Sequence, residues 1–472
     1  MKKIFFIISL IVISAGCTRN LSDLNVDPKN PSTAPSSAFF TNAQRSLMNT
    51  LTSSNVNLNI YRLIVQYWQE TTYTDESNYD LATRSINDAV WNALYRDVLK
   101  DFQEAKTIIP KDVNGADKVQ NQLAITDIMQ VATWYYLVTT FGNIPYTEAL
   151  DINKPFPKYD DAKTIYNDLL TRLDADIAKL KTSAESFGGA DILYEGDVTA
   201  WKKFANSLKL KMGMTIADDD NAKAKSAVES AVASGVFTSN ADNAEFHYLG
   251  APPNTNPIWV DLVQSGRKDF VAASTIVNAM EARNDPRLDD YFTVDANSGY
   301  SGGDPGASSN YATFSKPDEA ITAPDFPALL LDYSEVEFLL AEALQRGYAV
   351  GGTAVVHYAN AITASIVYWG GTTTEAATYL AGASVVYNAA NWKQSIGAQK
   401  WIALYNRGWD EWIEWRRLDN PQLTPAVDAV TVIPRRYPYP VNEQNVNRIN
   451  FEAASTAIGG DKVSTKLWWD KF

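Results

Sequence analysis

A chain of 472 residues with a formal net charge of -14 and a pI near 4.8 cannot neutralise phosphates, which excludes nucleic acid as a partner. Hydrophobic residues make up 46% of it, enough for a sizeable folded core and too many for a disordered chain. With a single cysteine there is no internal disulfide, so stability has to come from burial.

The chain opens on a segment that is not part of the fold. Lys2 and Lys3 precede an apolar run over 4–13 that only Ser9 interrupts, and the small residues Ser14, Ala15 and Gly16 lead to Cys17. This is the layout of a secretory signal, too short to span a bilayer as a finished helix. Residues 1–16 are read as the signal and 17–35 as a leader. The leader's NVDPKNPSTAP stretch is extended because Asn, Asp and Pro resist both helix and strand. No later stretch is long and apolar enough to cross a membrane.

From residue 36 to 472 helical periodicity dominates. Helices are predicted over 36–51, 56–69, 88–109, 121–141, 160–180, 199–217, 220–234, 272–283, 333–346, 354–368 and 396–417. Asp160 is a candidate N-cap. Asp332 with Glu335 makes a capping-box pattern that Gly347 closes, and the Asp218-Asp219-Asp220 run opens another helix. Strand patterns are scarce. Successive helices with short connections suggest antiparallel pairs stacked as in tetratricopeptide repeats, although no strict 34-residue repeat is visible.

The stretch 399–417, QKWIALYNRGWDEWIEWRR, reads as one long helix. Trp401, Leu404, Tyr405, Trp409 and Trp412 share a face and are expected in the core. Gly408 on that stripe lets another segment approach closely. Arg407, Asp410, Glu411 and Glu414 are expected on a solvated face, with Glu414 and Arg417 paired across one turn.

Three long loops, 235–266, 293–327 and 370–395, interrupt the helices. Their Tyr, Trp and Asn content points to binding rather than disorder. Chemistry is poorly supported. Gly299-Tyr300-Ser301-Gly302-Gly303 matches G-x-S-x-G, but neither the strand nor the helix that motif needs flanks it, so a flexible loop is expected. His247 and His357 lack metal-ligand spacing, and Asp295, Asn297 and Gly299 are too few for a calcium loop. No phosphate-binding loop is present. The expectation is no catalytic residue, no metal and no cofactor.

Several stretches together resemble the SusD/RagB family of outer-membrane lipoproteins, in the SusD-like branch described as starch-binding associated. They are Gly16-Cys17 with LNVDPKNP after it, WYYLVTTFGNIPYTEAL (134–150), WKKFANSLKLKMGM (201–214), NDPRLDDYF (284–292), PALLLDYSEVEFLLAEALQRG (327–347), IGAQKWIALYNRGWDEWIEWRR (396–417), PRRYPYPVNEQNVN (434–447) and KLWWDK (466–471). Ser14 departs from the leucine usual in the lipobox. The resemblance implies a mainly α fold of tetratricopeptide-like helix pairs with irregular segments forming a ligand face. It implies a lipid on Cys17, an outer-membrane and cell-surface location, and a SusC-like TonB-dependent transporter as partner. It implies binding of a polymeric nutrient, a glycan or in some cases a peptide, without catalysis.

The family's ligand residues follow no fixed motif, so the site is expected from loop position and chemistry. It comprises Trp68, Tyr73, Asn78 and Tyr79 from a first loop, Asn256 and Trp259 from a second, and Tyr300 and Tyr311 from a third. The alternatives are a helical glycoside hydrolase, which needs two facing carboxylates, and a repeat scaffold for outer-membrane assembly, which needs a smooth helical groove.

Overall fold

The computed structural model describes residues 34–472; the signal segment, Cys17 and the leader as far as residue 33 lie outside the described residues. Helix α1 (Ser36–Thr52) buries Phe40, Ala43, Leu47 and Met48, the three- and four-residue steps of one helix face. It lies antiparallel to a rod made of α3 (Ile86–Asn92), a π-helical turn (Ala93–Leu99) and α4 (Lys100–Asp112). The Ser36 hydroxyl bonds Asp112 at one end, and Asn42 bonds Asp101 further along.

Further antiparallel pairs follow. Helix α5 (Ala116–Phe141) packs on α6 (Ala162–Lys179), where Arg172 reaches back to Asp127. Helix α7 (Val198–Thr215) packs on α8 (Asn221–Ser234), and α11 (Tyr333–Gln345) on α12 (Ala354–Tyr368). Asp161, Asp197, Asp220, Asp332 and Thr353 cap α6, α7, α8, α11 and α12 by accepting a backbone N–H. The expected paired-helix architecture is therefore present.

Several boundaries differ. Asp161 caps α6 in place of Asp160, which instead accepts from the Tyr146 and Thr147 amides in the hairpin of β2 (Ile144–Pro145) and β3 (Tyr159–Asp160). The helix predicted over 56–69 shrinks to α2 (Tyr61–Ile64) and gives way to β1 (Trp68–Glu70). Gln66, at φ 59°, turns the chain out of helix there. At 272–283, β5 (Phe270–Ala272) precedes α9 (Ser274–Glu281). A short α10 (Leu288–Tyr291) follows. Strands β4 (Ala244–Phe246) and β6 (Ala328–Leu331) form a third two-stranded sheet. Among the described residues, α13 (Thr373–Leu380), α16 (Val441–Val446) and α17 (Arg448–Ala457) complete the α-helices with the pair that follows.

The stretch 399–417 is two helices, α14 (Trp392–Ala403) and α15 (Gly408–Leu418). Asn406, at φ 70°, breaks them, and its side-chain oxygen accepts from Arg62 Nε at 2.8 Å. The tryptophans are core: Trp401, Trp409 and Trp412 are buried, and Tyr61 stacks on Trp409 at 4.4 Å. A Cβ at Gly408 would lie 2.6 Å from the Arg62 backbone nitrogen, so the close approach expected there is real, against α2.

The solvated face expected opposite the tryptophans does not exist. Every residue of α15 is buried, including Asp410, Glu411, Glu414, Arg416 and Arg417. Asp410, Glu414 and Arg417 pair with other buried charges instead of with water, and Arg416 donates to the Thr139 and Arg435 carbonyls. Arg417 bonds both Glu342 oxygens, at 2.5 and 2.6 Å, and also Glu414. Lys400 bonds Glu414, Lys211 bridges Asp410 and Glu335, and Arg407 joins Asp332, Glu335 and Asp410. Burial alone would raise the Glu342 carboxyl, but Arg417 and Arg346 hold it down at about 2. Glu411 goes the other way, pushed up by burial and by Glu414.

Candidate functional site

Four irregular segments converge around one short ribbon. Strands β1 and β5 run antiparallel, with Trp68 opposite Ala272 and Glu70 opposite Phe270. The 293–327 loop docks on the ribbon through its backbone: Ser309 N–H donates to Thr71, Ser274 N–H to Gly303, and Ala272 N–H to Ser315. The buried Gln69 amide donates to Ala307 and accepts from Gly306 N–H, both at 2.8 Å. The 419–433 segment joins on the other side, where Val427 N–H donates to Pro305 and Val430 N–H to Asn78.

The glycine-rich run is thus packed, not the flexible loop expected from its composition. A Cβ at Gly303 would meet Ser309 Oγ at 2.1 Å, and one at Gly306 would meet Asn78 Oδ1 at 2.3 Å. Glycine serves close backbone approach here, and it leaves a rigid edge for side chains to project from.

The expected site residues divide into two groups. Trp68, Asn78, Tyr79 and Asn256 are buried and hold the loops together. Trp68 donates from its indole to Tyr405 and lies under Arg62. Asn78 donates to Thr74 and Gly306, and Tyr79 accepts from Ala426 N–H. Asn256 donates to Phe326 and caps the turn at Ile258. These four offer little surface to a ligand, because their polar edges are spent inside the fold, that of Trp68 on the Tyr405 hydroxyl and those of Asn78, Tyr79 and Asn256 on backbone groups.

Tyr73, Trp259, Tyr300 and Tyr311 remain at the surface. Tyr73 is 79% exposed and sits at φ 56°. Tyr311 is half-buried between the ammonium groups of Lys268 and Lys316, 5.6 and 5.4 Å from its ring. The Thr71–Ser309 bond and the Thr71 hydroxyl's bond to Lys268 tie Tyr73 and Tyr311 to one platform. Trp259, half-buried, opens a π-helical turn (Trp259–Gln264) whose Val260 and Val263 are exposed. Tyr300 rests on the core, where burial and the Asp289, Asp318 and Asp290 carboxylates raise its phenol.

Nothing on this platform is arranged to break a bond. Ser301 donates to Asp295 at 2.7 Å, so the hydroxyl of the G-x-S-x-G match has a carboxylate partner and no histidine. Asp295 also accepts from the Asn297 and Gly299 amides, which occupies the oxygens a cation would need. No group of three or more His, Cys, Asp or Glu with metal-binding geometry occurs among the described residues. Asp410 and Glu414, the helical carboxylate pair, belong to the buried charge network. A second pair, Glu70 and Glu76, lies under the first loop, fully enclosed. Burial, with Glu76 beside it, pushes Glu70 up to about 8 although Ser77 donates to it from both N–H and hydroxyl. Arg84 pairs with Glu76. Enclosed carboxylates cannot flank a glycosidic bond.

Sequence reasoning missed the 419–433 segment, which supplies the platform with the exposed Val427 and Val430. It also missed a pair of clefts beside the hairpin at 146–158. Four aromatic residues line them, Trp91, Tyr95, Trp134 and Tyr146, and all four fell inside or next to helices predicted for packing alone.

Comparison with known proteins agrees with the architecture. Residues 28–440 match the SusD-like family described as starch-binding, associating with outer membrane. Among solved structures, a chitin-binding protein is 26% identical, with a TM-score of 0.82 over 93% of this chain and 100% of its own. A SusD-like protein from Bacteroides thetaiotaomicron is 25% identical, with a TM-score of 0.81 over 93% of this chain and 99% of its own. A chitin-binding SusD homologue from Flavobacterium johnsoniae, 24% identical, has a TM-score of 0.79 over 91% and 98% and shares the fold. No curated protein matches the chain by sequence.

Proposed function

The chain belongs to the SusD-like family of starch-binding proteins that associate with the outer membrane, and on that premise we propose that it captures a polymeric glycan at the cell surface and passes it uncut to a SusC-like TonB-dependent transporter. The family is one of carbohydrate-binding proteins and not of enzymes. The tether in this reading is lipid on Cys17. Each acyl chain contributes ~0.8 kcal/mol per buried CH2, and more than one chain makes the attachment firm.

The observation that carries the reading is the platform itself. Tyr73 stands in water and Trp259 and Tyr311 are partly exposed, while their loops are locked by backbone bonds. Flat apolar rings suit the faces of sugar rings, and a preformed edge lowers the ordering cost of binding. The 26% identity to a chitin-binding protein favours a chitin-type oligosaccharide as the first probe.

The test is an array of chito-, malto- and cello-oligosaccharides together with peptides, probed with protein starting at residue 22. Binding to a glycan, lost in Trp259→Ala or Tyr311→Ala, supports the reading. Binding to peptides alone overturns the glycan assignment. Lipid is tested by fatty-acid labelling of the full chain and of Cys17→Ala. The transporter is tested by co-purification with the barrel from the native membrane.

A further inference from the structure

The pair of clefts at the 146–158 hairpin lies apart from the platform and shares no segment with it. One cleft, about 400 Å³, is lined by Trp91, Tyr95, Pro145, Leu150, Ile152 and Glu443, among others. The second, about 340 Å³, is lined by Gln103, Lys106, Gln130, Trp134, Tyr146 and Arg172, among others. Both touch Ala149, Leu150 and Asp151, so they meet at the hairpin and form one trough. Each volume lies within the range of small-molecule sites, ~300–1,000 Å³.

A row of rings runs the length of this trough. Trp91 and Tyr95 are 4.7 Å apart, Tyr95 and Trp134 5.4 Å, and Trp134 and Tyr146 5.0 Å. Trp91 and Trp134 line the clefts but are buried, at 7% and 4% exposed, whereas Tyr95 and Tyr146 are half-exposed. Polar groups flank the row at the second cleft. Arg172 holds Asp127 with two nitrogens and donates to the Tyr146 hydroxyl at 2.6 Å, while Lys106 donates to Asp127 and Gln130. Lys106 and Arg172 are balanced by the Asp127 carboxylate they share and by Asp151 in the lining, so the cleft offers directional hydrogen bonds with little net charge to attract an anion. The wall is preformed: β2 and β3 pin the hairpin's base, and Asn447 and Asn450 hold Pro157 and Phe156. Ile152, at its tip, is 92% exposed.

Apolar rings in line with neutral polar edges suit a chain whose units alternate apolar ring faces with hydroxyl rims. We propose that this trough is a second saccharide-binding site, taking a short neutral oligosaccharide across the Trp91–Tyr95–Trp134–Tyr146 row. It rests on the reading that the protein binds glycan, and it adds a foothold on the helix-pair side that could hold another stretch of the same polymer.

The experiment uses the protein from residue 22 labelled with 5-fluorotryptophan, titrated with chitohexaose and, separately, maltohexaose, and read by fluorine NMR. The expected result is that one probe moves the Trp91 and Trp134 resonances as well as that of Trp259. Ala149→Phe, which fills the junction of the clefts, should weaken the Trp91 and Trp134 response at least tenfold and leave that of Trp259 unchanged. Gln103→Ala, on a half-exposed side chain, is the milder second variant and should weaken it by a smaller factor. A Trp259 resonance that saturates while Trp91 and Trp134 stay still overturns the second site and leaves the platform standing. Movement of Trp91 and Trp134 alone upholds the trough and overturns the platform. No movement with either probe overturns the trough.

Discussion

The α14–α15 pair and the loop platform are both rich in aromatic residues, and they use them in opposite ways. In the helix pair four tryptophans spend their polar edges inside the fold: Trp401 donates to Val65, Trp409 to Thr140, Trp412 to Pro434 and Trp415 to Pro421. The charges between the helices are spent in the same way. On the platform Gln69, Asn78 and the loop backbones form the internal bonds, which leaves Tyr73, Trp259 and Tyr311 as surface. Aromatic density by itself therefore does not mark a binding face. What marks it is whether other groups have already fixed the segment, so that the ring is free.

Breaking the helix pair should have the largest effect. Trp412→Ala removes a fully buried ring and should cost ~3–5 kcal/mol of stability. Arg417→Met leaves Glu342 with Arg346 alone and Glu414 with Lys400 alone in the core, and should cost a similar ~3–5 kcal/mol. Denaturant melts of both variants check this. A loss under ~1 kcal/mol in either would mean that water reaches the helix interface.

Under the platform the expected effect is a pH dependence. Burial raises Glu70 in the folded state, so the folded protein holds that proton more tightly than the unfolded chain does. Its stabilisation is complete below the ordinary Glu range and is lost as pH rises toward about 8. Unfolding free energy from denaturant melts should fall over that window by an amount on the order of a few kcal/mol. In Glu70→Gln the slope should flatten, because a neutral amide can still accept from Ser77. A wild-type stability that rises with pH over the window would contradict the raised Glu70 carboxyl.

On the platform surface, Trp259→Ala and Tyr311→Ala should weaken glycan binding by ~1–3 kcal/mol and change stability by no more than ~0.5 kcal/mol. Calorimetric titration beside melts separates the two quantities. If either variant instead melts early with its affinity intact, that ring belongs with the helix pair in kind. The smallest expected effect is that of Ser301→Ala. Bound oligosaccharide should keep its length by mass spectrometry with wild type and variant alike, since Ser301 only bonds Asp295.

The helix pairs were legible in the sequence because three- and four-residue apolar spacing and capping side chains are local signals. Phe40, Leu47 and Asp220 read the same way in the chain and in the fold. The tryptophan stripe at 401–412 was equally legible as core, since rings at that spacing have one face to bury. Even the charged side of α15 held a clue, because Ile413 and Trp415 interrupt it where a solvated face would be polar.

What only the tertiary structure decided was where each polar edge is spent. Glu342 lies 75 residues from Arg417, and Gly306 lies 228 from Asn78. Spacing along the chain carries no trace of such partners. A charged or amide side chain reads as surface until the partner that lets it be buried is in place. That is why Asn78 and Asn256 looked like ligand contacts and proved to be internal ties. It is also why the row from Trp91 to Tyr146 came into view only when the rod, α5 and the 146–158 hairpin were brought side by side.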